Sequence, residues 1–275
     1  MSLLVGTRAG AYRYVGGEFT QVTDGLATVA RPESLGPVIA VGSRLLTAEA
    51  PPELVFEAPR RITAIGEVDG RATIGTAAPA ALYVTDDGES WTTVELPARG
   101  PVTRHGPADG TTVTGPDGPP VATIAAIPSR PDWLVVGLEG DGVLVSRDRG
   151  TNWRDRSRGL GADVHELRAV ATQEWVAATG NGAYRTRDAG RTWVRLDTSQ
   201  TYQQYTYFHG LAIWDGRVVV GGGAHMPGGW EEAHGASGLL ARLTEAGLVN
   251  EPYPGAPKSI RTPSRALLVR DISGR

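Results

Sequence analysis

The chain alternates short apolar runs with clusters of turn-forming residues. Typical runs cover residues 81–83, 142–145 and 182–184, and each is followed within a few residues by Asp and Gly. Short alternating runs bounded by Gly, Asp and Asn are typical of β-strands joined by tight turns. The pattern therefore predicts an all-β protein built from hairpins.

Three of these hairpins share the motif S/T-x-D-x-G-x-x-W, the first of them with Val84 in place of the leading hydroxyl residue. The copies are Val84-Thr-Asp-Asp-Gly-Glu-Ser-Trp91, Ser146-Arg-Asp-Arg-Gly-Thr-Asn-Trp153 and Thr186-Arg-Asp-Ala-Gly-Arg-Thr-Trp193. In each turn we expect the Asp to cap backbone amides, the Gly to adopt a positive φ and the Trp to cover the side of the hairpin. The structural residues predicted in this way are Asp86, Gly88, Trp91, Asp148, Gly150, Trp153, Asp188, Gly190 and Trp193.

The motif resembles the Asp-box, or BNR, repeat of sialidase-like and sortilin-like β-propellers. The resemblance covers most of the chain and implies four-stranded blades of about 40 to 45 residues each. The aligned aspartates are 62 and then 40 residues apart. The 22 additional residues of the first interval match the segment 98–119, which is rich in Gly, Pro and Thr and is predicted to be an inserted loop.

The same rhythm elsewhere in the chain predicts a six-bladed β-propeller of four-stranded antiparallel blades. The chain divides into blades near 36–59, 60–97, 121–157, 163–197 and 207–254, with 3–22 as an incomplete first blade. The strand predicted at 265–272 has no other partner. We expect it to complete blade 1 and to close the ring without an exposed edge.

Loop lengths and histidines both favour one face of this propeller. With strands A to D running from the axis outwards, the D-to-A and B-to-C loops share one face, here named the top face. The three longest loops, 98–120, 198–208 and 221–238, all map to it, whereas the motif turns are C-to-D turns on the opposite face. The five histidines also lie in or beside top-face loops: His105, His165, His209, His225 and His234.

The densest group of candidate site residues is predicted on two top-face loops of blade 6. Aromatic plates beside carboxylates and imidazoles suit a sugar or another polar ring. The candidate ligand-binding residues are Tyr202, Tyr205, His225, Trp230 and His234, and the catalytic candidates are Glu231, Glu232, His209 and Tyr207. The alternative is that the Tyr-rich loop simply packs over the Gly-rich loop and covers the end of the propeller.

Metal binding and sialidase chemistry are weaker alternatives. His209, His225 and His234 are the metal candidates, but an H-x8-H spacing matches no compact zinc motif, and no cofactor is expected. Arg61, Arg168 and Arg265 are candidates for binding a ligand carboxylate. The Arg-Ile-Pro motif of the sialidase-like family is missing, and the nearest string is Arg61-Ile-Thr63.

Composition narrows the partners further. The 275 residues contain no cysteine, which excludes disulfides, thiolate zinc sites and cysteine nucleophiles. The net charge is −3, with 27 basic and 30 acidic residues, so we expect no nucleic-acid partner. No apolar run approaches the ~20 residues of a membrane helix, and the chain opens without a basic and apolar leader, so we expect no membrane partner and a cytoplasmic location.

Two functional hypotheses follow, with a third beside them. The first is a soluble propeller that binds a small molecule, a glycan or a protein partner through its top-face loops, without a strongly specified catalytic set. The second is a glycosidase-like hydrolase or lyase at the blade 6 loops. The third is a protein-docking platform, for which the fold predicts a broad, shallow surface with exposed aromatic residues rather than a deep funnel.

Overall fold

The protein is an all-β propeller of six blades. The computed structural model describes residues 2–7, 9–77, 79–100, 102–105, 112–115, 118–201, 207–214, 216–223, 238–250 and 270–271. Within these ranges the regular secondary structure consists entirely of β-strands. The strands form six four-stranded antiparallel sheets and one two-stranded hairpin. The prediction of six four-stranded blades is therefore confirmed. None of the described residues forms a helix long and apolar enough to cross a membrane.

Blades 2 to 6 each take their four strands in chain order, whereas in the sheet of blade 1 the two-residue strand β26 Arg270–Asp271 lies beside three consecutive strands. Blade 1 contains β1 Ser2–Gly6, β2 Gly10–Val15 and β3 Glu18–Asp24, and blade 2 contains β4 Ala27–Ala30, β5 Val38–Val41, β6 Arg44–Thr47 and β7 Leu54–Glu57. Blade 3 contains β8 Ile62–Val68, β9 Arg71–Thr76, β10 Ala81–Thr85 and β11 Thr92–Glu95, and is followed by the hairpin β12 Val102–His105 and β13 Thr112–Gly115. Blade 4 contains β14 Val121–Ile127, β15 Arg130–Leu138, β16 Gly142–Ser146 and β17 Trp153–Asp155. Blade 5 contains β18 Val164–Ala169, β19 Trp175–Thr179, β20 Gly182–Thr186 and β21 Val194–Arg195, and blade 6 contains β22 Tyr207–Trp214, β23 Arg217–Gly223, β24 Gly238–Thr244 and β25 Gly247–Asn250.

The hydrophobic core lies between the blades. In the described part of the chain the buried apolar residues form five clusters, one between each pair of consecutive blades from 1 and 2 to 5 and 6. The cluster between blades 4 and 5, for example, joins Val135 and Val143 to Leu167 and Trp175, all at 0% exposure. A sheet packed on both faces buries every residue of a short strand, which explains why β16 and β19 are buried along their whole lengths.

Two predictions are corrected, the start of blade 2 and the loop at 98–119. Blade 2 begins at Ala27–Ala30 rather than near residue 36, because β4 pairs with β5 along its length. This strand has the sequence Ala-Thr-Val-Ala and is separated from β5 by a segment containing Pro32 and Pro37, so it lacked a recognisable strand pattern. The predicted loop 98–119 contains the hairpin formed by β12 and β13.

Closure of blade 1 by the strand at 265–272 stays a prediction. Of that segment the structure describes the strand β26 Arg270–Asp271, which pairs antiparallel with Leu3 and Leu4 of β1. The other residues of the segment, including Arg265, lie outside the described residues.

Candidate functional site

The second and third motif turns are closed by the same set of hydrogen bonds. The Asp148 carboxylate accepts hydrogen bonds from the Ser146 hydroxyl at 2.8 Å and from the backbone amide of Asn152 at 2.8 Å. Asp188 accepts equivalent bonds from the Thr186 hydroxyl and the Thr192 amide. The Asn152 side chain lowers the pKa of Asp148, since it donates to the charged form of the carboxyl group.

In the first motif turn the structure assigns this role to Asp87, not to Asp86. Asp87 accepts bonds from the amides of Glu89 and Ser90 at 2.8 Å and from the Thr85 hydroxyl at 3.0 Å. The backbone amide of Ser90, followed by that of Glu89, lowers the pKa of Asp87. The Asp86 side chain is 82% exposed. This turn is one residue shorter than the other two, so a gapless alignment placed Val84 and Asp86 where Thr85 and Asp87 belong. Residues 85–91, 146–153 and 186–193 are called the aspartate turns below.

The aspartate turns fasten each blade to the preceding one. The Trp153 indole donates to the Glu95 carbonyl of blade 3 at 3.1 Å, and the Trp193 indole donates to the Arg156 carbonyl after blade 4 at 2.7 Å. Trp91 stacks on Phe56 of blade 2 with ring centroids 4.3 Å apart. All three turns connect strands C and D and lie on the face opposite the top face. They therefore contribute to the packing between blades.

Four of the innermost strands share a β-bulge near their first residues, at the top face. In β8, β14, β18 and β22 the strand register shifts by one residue, so Thr63, Ala122, His165 and His209 are the extra residues of the bulges. A bulge bends the strand and re-aims the side chain of the extra residue. Blades 5 and 6 both place an imidazole at this position.

The two imidazoles and one phenol meet at the mouth of the propeller. The rings of His165 and His209 have centroids 4.9 Å apart, and Tyr207 lies 4.3 Å from His209 and 5.0 Å from His165. Tyr207 is 5% exposed. The buried phenol ring therefore packs against both imidazoles on their protein-facing side.

Two carboxylates lie beside this ring cluster. Asp163 belongs to the loop that enters blade 5 and Glu139 to the B-to-C loop of blade 4, and the two residues form an isolated β-bridge. His165 Nε2 lies 3.6 Å from Asp163 Oδ2. One ligand atom from each of Glu139, Asp163 and His165 falls within 4.8 Å of the others, so these three side chains could hold a divalent cation. Glu139, Asp163, His165, Tyr207 and His209 are called the mouth cluster below.

Two of the predicted arginines, Arg61 and Arg168, are not part of the mouth cluster. Arg168 is three residues beyond His165 in β18, about 10 Å along the strand, and its guanidinium lies 2.6 Å from Glu166 Oε1. Glu166 also accepts a hydrogen bond from Thr123 of β14. Arg61 is exposed and precedes β8. Arg168 therefore takes part in a contact between the inner strands of blades 4 and 5, farther from the mouth of the propeller than His165.

Two of the five residues of the mouth cluster, Tyr207 and His209, are site candidates predicted from the sequence. His165 was predicted as a top-face histidine but not as a site candidate, and Glu139 and Asp163 were not predicted. The signal for His165 and Asp163 was their place at the start of the inner strand of blade 5, which matches the place of His209 in blade 6. The other blade 6 candidates lie outside the described residues: Tyr202, Tyr205, His225, Trp230, Glu231, Glu232 and His234.

Comparison with solved structures supports the propeller fold. The WD40 β-propeller domain of Doa1 aligns with a TM-score of 0.59 at 11% identity, over 90% of this chain and 77% of that one. An ancestral GH74 enzyme aligns with a TM-score of 0.51 at 12% identity, over 91% of this chain, and the chain spans only 31% of its length. The extracellular domain of a hybrid two-component system from B. thetaiotaomicron aligns with a TM-score of 0.51 at 14% identity, over 91% of this chain and 29% of that one. No family model and no curated protein sequence matches the chain.

Proposed function

We propose that this protein is an Asp-box repeat propeller that binds a small polar ligand, such as a glycan ring, at the mouth cluster. The observation that carries the proposal is the contact between His165 and His209, which occupy equivalent bulges of neighbouring blades. Imidazole, phenol and carboxylate groups together offer both donors and acceptors to ligand hydroxyls. The hydrogen-bonded aspartate turns support the assignment to the Asp-box class.

Burial favours a small ligand over a docked protein. The side chains of His165 and Asp163 are only 9% and 17% exposed, and Tyr207 is buried. A protein-docking platform would instead present exposed aromatic residues over a broad surface. A cytoplasmic location and the lack of nucleic-acid and membrane partners belong to the same proposal and rest on composition alone.

The first experiment is a binding screen with individual substitutions at the mouth. We expect at least one member of a panel of monosaccharides, disaccharides and sugar acids to bind in ligand-observed NMR, and its signal to be lost in His165→Ala and in His209→Ala. Asp86→Asn is the control, because it changes an exposed carboxylate on the opposite face. A panel without a binder, or a binder that both histidine variants retain, would refute the proposal.

A glycosidase-like hydrolase is the second candidate, and one observation favours it. Oxygen atoms of Glu139 and Asp163 approach within 4.8 Å of each other. An oxygen-to-oxygen distance below this limit is nearer to the roughly 5 to 5.5 Å between the carboxyl groups of a retaining glycosidase than to the roughly 6.5 to 9.5 Å of an inverting one. Turnover of a 4-nitrophenyl glycoside that disappears in both Glu139→Gln and Asp163→Asn would support hydrolysis. Binding without turnover would leave the protein a binding module.

A further inference from the structure

A second group of side chains surrounds the middle aspartate turn, on the face opposite the mouth cluster. A cavity of about 380 Å³ is lined there by Arg147, Arg154 and Arg156 together with Asp148, Asn152 and Trp153. Its volume lies within the range of small-molecule sites. This cavity shares no residue with the mouth cluster, so its role is independent of the proposed function.

The three guanidinium groups of the cavity have no acidic partner within the described part of the chain. Among the described residues none of the three makes an ion pair or a side-chain hydrogen bond, and Arg156 Nε is buried without an acceptor. The nearby Arg99 and Arg149 do pair with carboxylates. A buried N–H without an acceptor is costly, so this site is suited to an external acceptor.

The charge of the cavity suits a doubly charged anion. Asp148 is the one carboxylate among the lining residues, and both of its oxygens already accept hydrogen bonds within the aspartate turn. Three guanidinium charges and one carboxylate leave a net charge of +2. Burial, followed by the charges of four neighbouring arginines, lowers the pKa of Arg147. Arg147 is held over the Trp133 ring, 4.1 Å from its centroid, so its position is fixed before a ligand arrives.

The aspartate-turn motif does not itself require these arginines. In the third turn the positions of Arg147, Arg154 and Arg156 are taken by Arg187, Val194 and Leu196. In the first turn they are taken by Asp86, Thr92 and Val94. All three turns close with the same type of hydrogen bonds, so a cluster of three arginines at one of them is not a structural need of the fold.

We propose that this cavity binds a phosphate monoester. A phosphate monoester carries about −1.5 to −2 charges at neutral pH, and the guanidinium fork matches its oxygens. The cavity could hold about a dozen waters at ~30 Å³ each, which is more than a bare phosphate fills. The Trp153 side chain adds an apolar wall for the organic part of the ligand.

Isothermal titration calorimetry with phenyl phosphate, phenol and inorganic phosphate tests the proposal. We expect phenyl phosphate to bind with a stoichiometry of one, phenol not to bind, and inorganic phosphate to bind more weakly than phenyl phosphate. Arg154→Gln should weaken the binding of phenyl phosphate about tenfold, because a charge-assisted hydrogen bond is lost. Arg154 is exposed and forms no side-chain bond among the described residues, so this variant should fold. Arg44→Gln is the matched control, because it removes an exposed arginine of blade 2.

Three results would overturn the proposal. They are no binding of phenyl phosphate, equal binding by Arg154→Gln and the wild type, and equal affinity for inorganic phosphate and phenyl phosphate. A short peptide with one phosphoserine separates the two sources of such a ligand. If the peptide binds more tightly than phenyl phosphate, the natural ligand is a phosphate monoester on a protein. If the peptide binds more weakly, the natural ligand is a free small molecule.

Discussion

Gly190→Ala tests how the aspartate turns hold the blades together. Gly190 has a φ of +78°, and a Cβ atom there would lie 2.9 Å from Trp175 Cζ3 and 3.1 Å from Arg156 Cβ. Trp175 is at 0% exposure in the cluster between blades 4 and 5. It cannot move aside without disturbing that packing, so the added methyl group strains the contact between Trp175 of blade 5 and Arg156, which follows blade 4.

The expected loss of stability has two parts. A non-glycine residue in the left-handed region costs about 1 to 2 kcal/mol, and overpacking a filled core costs about 1 to 3 kcal/mol, which gives about 2 to 5 kcal/mol in total. Gly70→Ala is the matched control. Gly70 has a φ of +71° with no atom within 4 Å of an added Cβ, so only the first part, about 1 to 2 kcal/mol, applies.

Thermal unfolding followed by tryptophan fluorescence and circular dichroism measures the difference. At about 2 °C per kcal/mol for a chain of this size, Gly190→Ala should melt about 2 to 6 °C below Gly70→Ala. Equal melting temperatures for the two variants would refute the reasoning, because they would show that the contact with Trp175 and Arg156 adds nothing to the cost of the backbone conformation.

Three further predictions concern the aspartate turns and the core. Asp87→Ala should speed hydrogen exchange at the two backbone amides that donate to its carboxylate, and Asp86→Ala should not. Equal exchange rates in the two variants, measured by NMR, would contradict the assignment of the turn to Asp87. The lowered pKa of Asp87 and Asp148 means that their stabilisation is complete above about pH 5 and is lost as the pH falls through the folded values, so carboxyl titrations by NMR should have midpoints below 3.8. Leu167→Ala should destabilise the protein by about 2 to 5 kcal/mol in urea unfolding, because the side chain is fully buried, whereas Val194→Ala, at a side chain 68% exposed, should change it by less than about 0.5 kcal/mol.

The strands could be predicted wherever local pattern and turn chemistry agree. The runs before the aspartate turns became β10, β16 and β20, because a turn with Asp and Gly limits the length and direction of a hairpin. The strand β4 was missed since its small residues give a weak pattern and its burial comes from neighbouring blades. Asp86 was predicted instead of Asp87 because the first aspartate turn is one residue shorter than the other two. A gapless alignment on Trp91 then places Asp86 opposite the aspartates of the other turns.

The candidate site depended on contacts between distant parts of the chain. Tyr207 and His209 could be placed on the top face because the position of a loop in a blade follows from strand order. Their partner His165 lies more than 40 residues earlier. A bulge in each inner strand brings the two imidazoles together, and a bulge depends on the register with the second strand rather than on the residue itself. The arginine cavity, by contrast, is lined by residues close in the chain, on both sides of one turn of blade 4.

The sequence alone determined the class of fold and the number of blades, because these follow from hairpin periodicity and repeat length. The tertiary structure decided which side chains meet. Strand register sets the direction of each side chain, and packing between blades sets the distance between residues that are far apart in the chain. For this reason the mouth cluster emerged only when the blades were placed side by side.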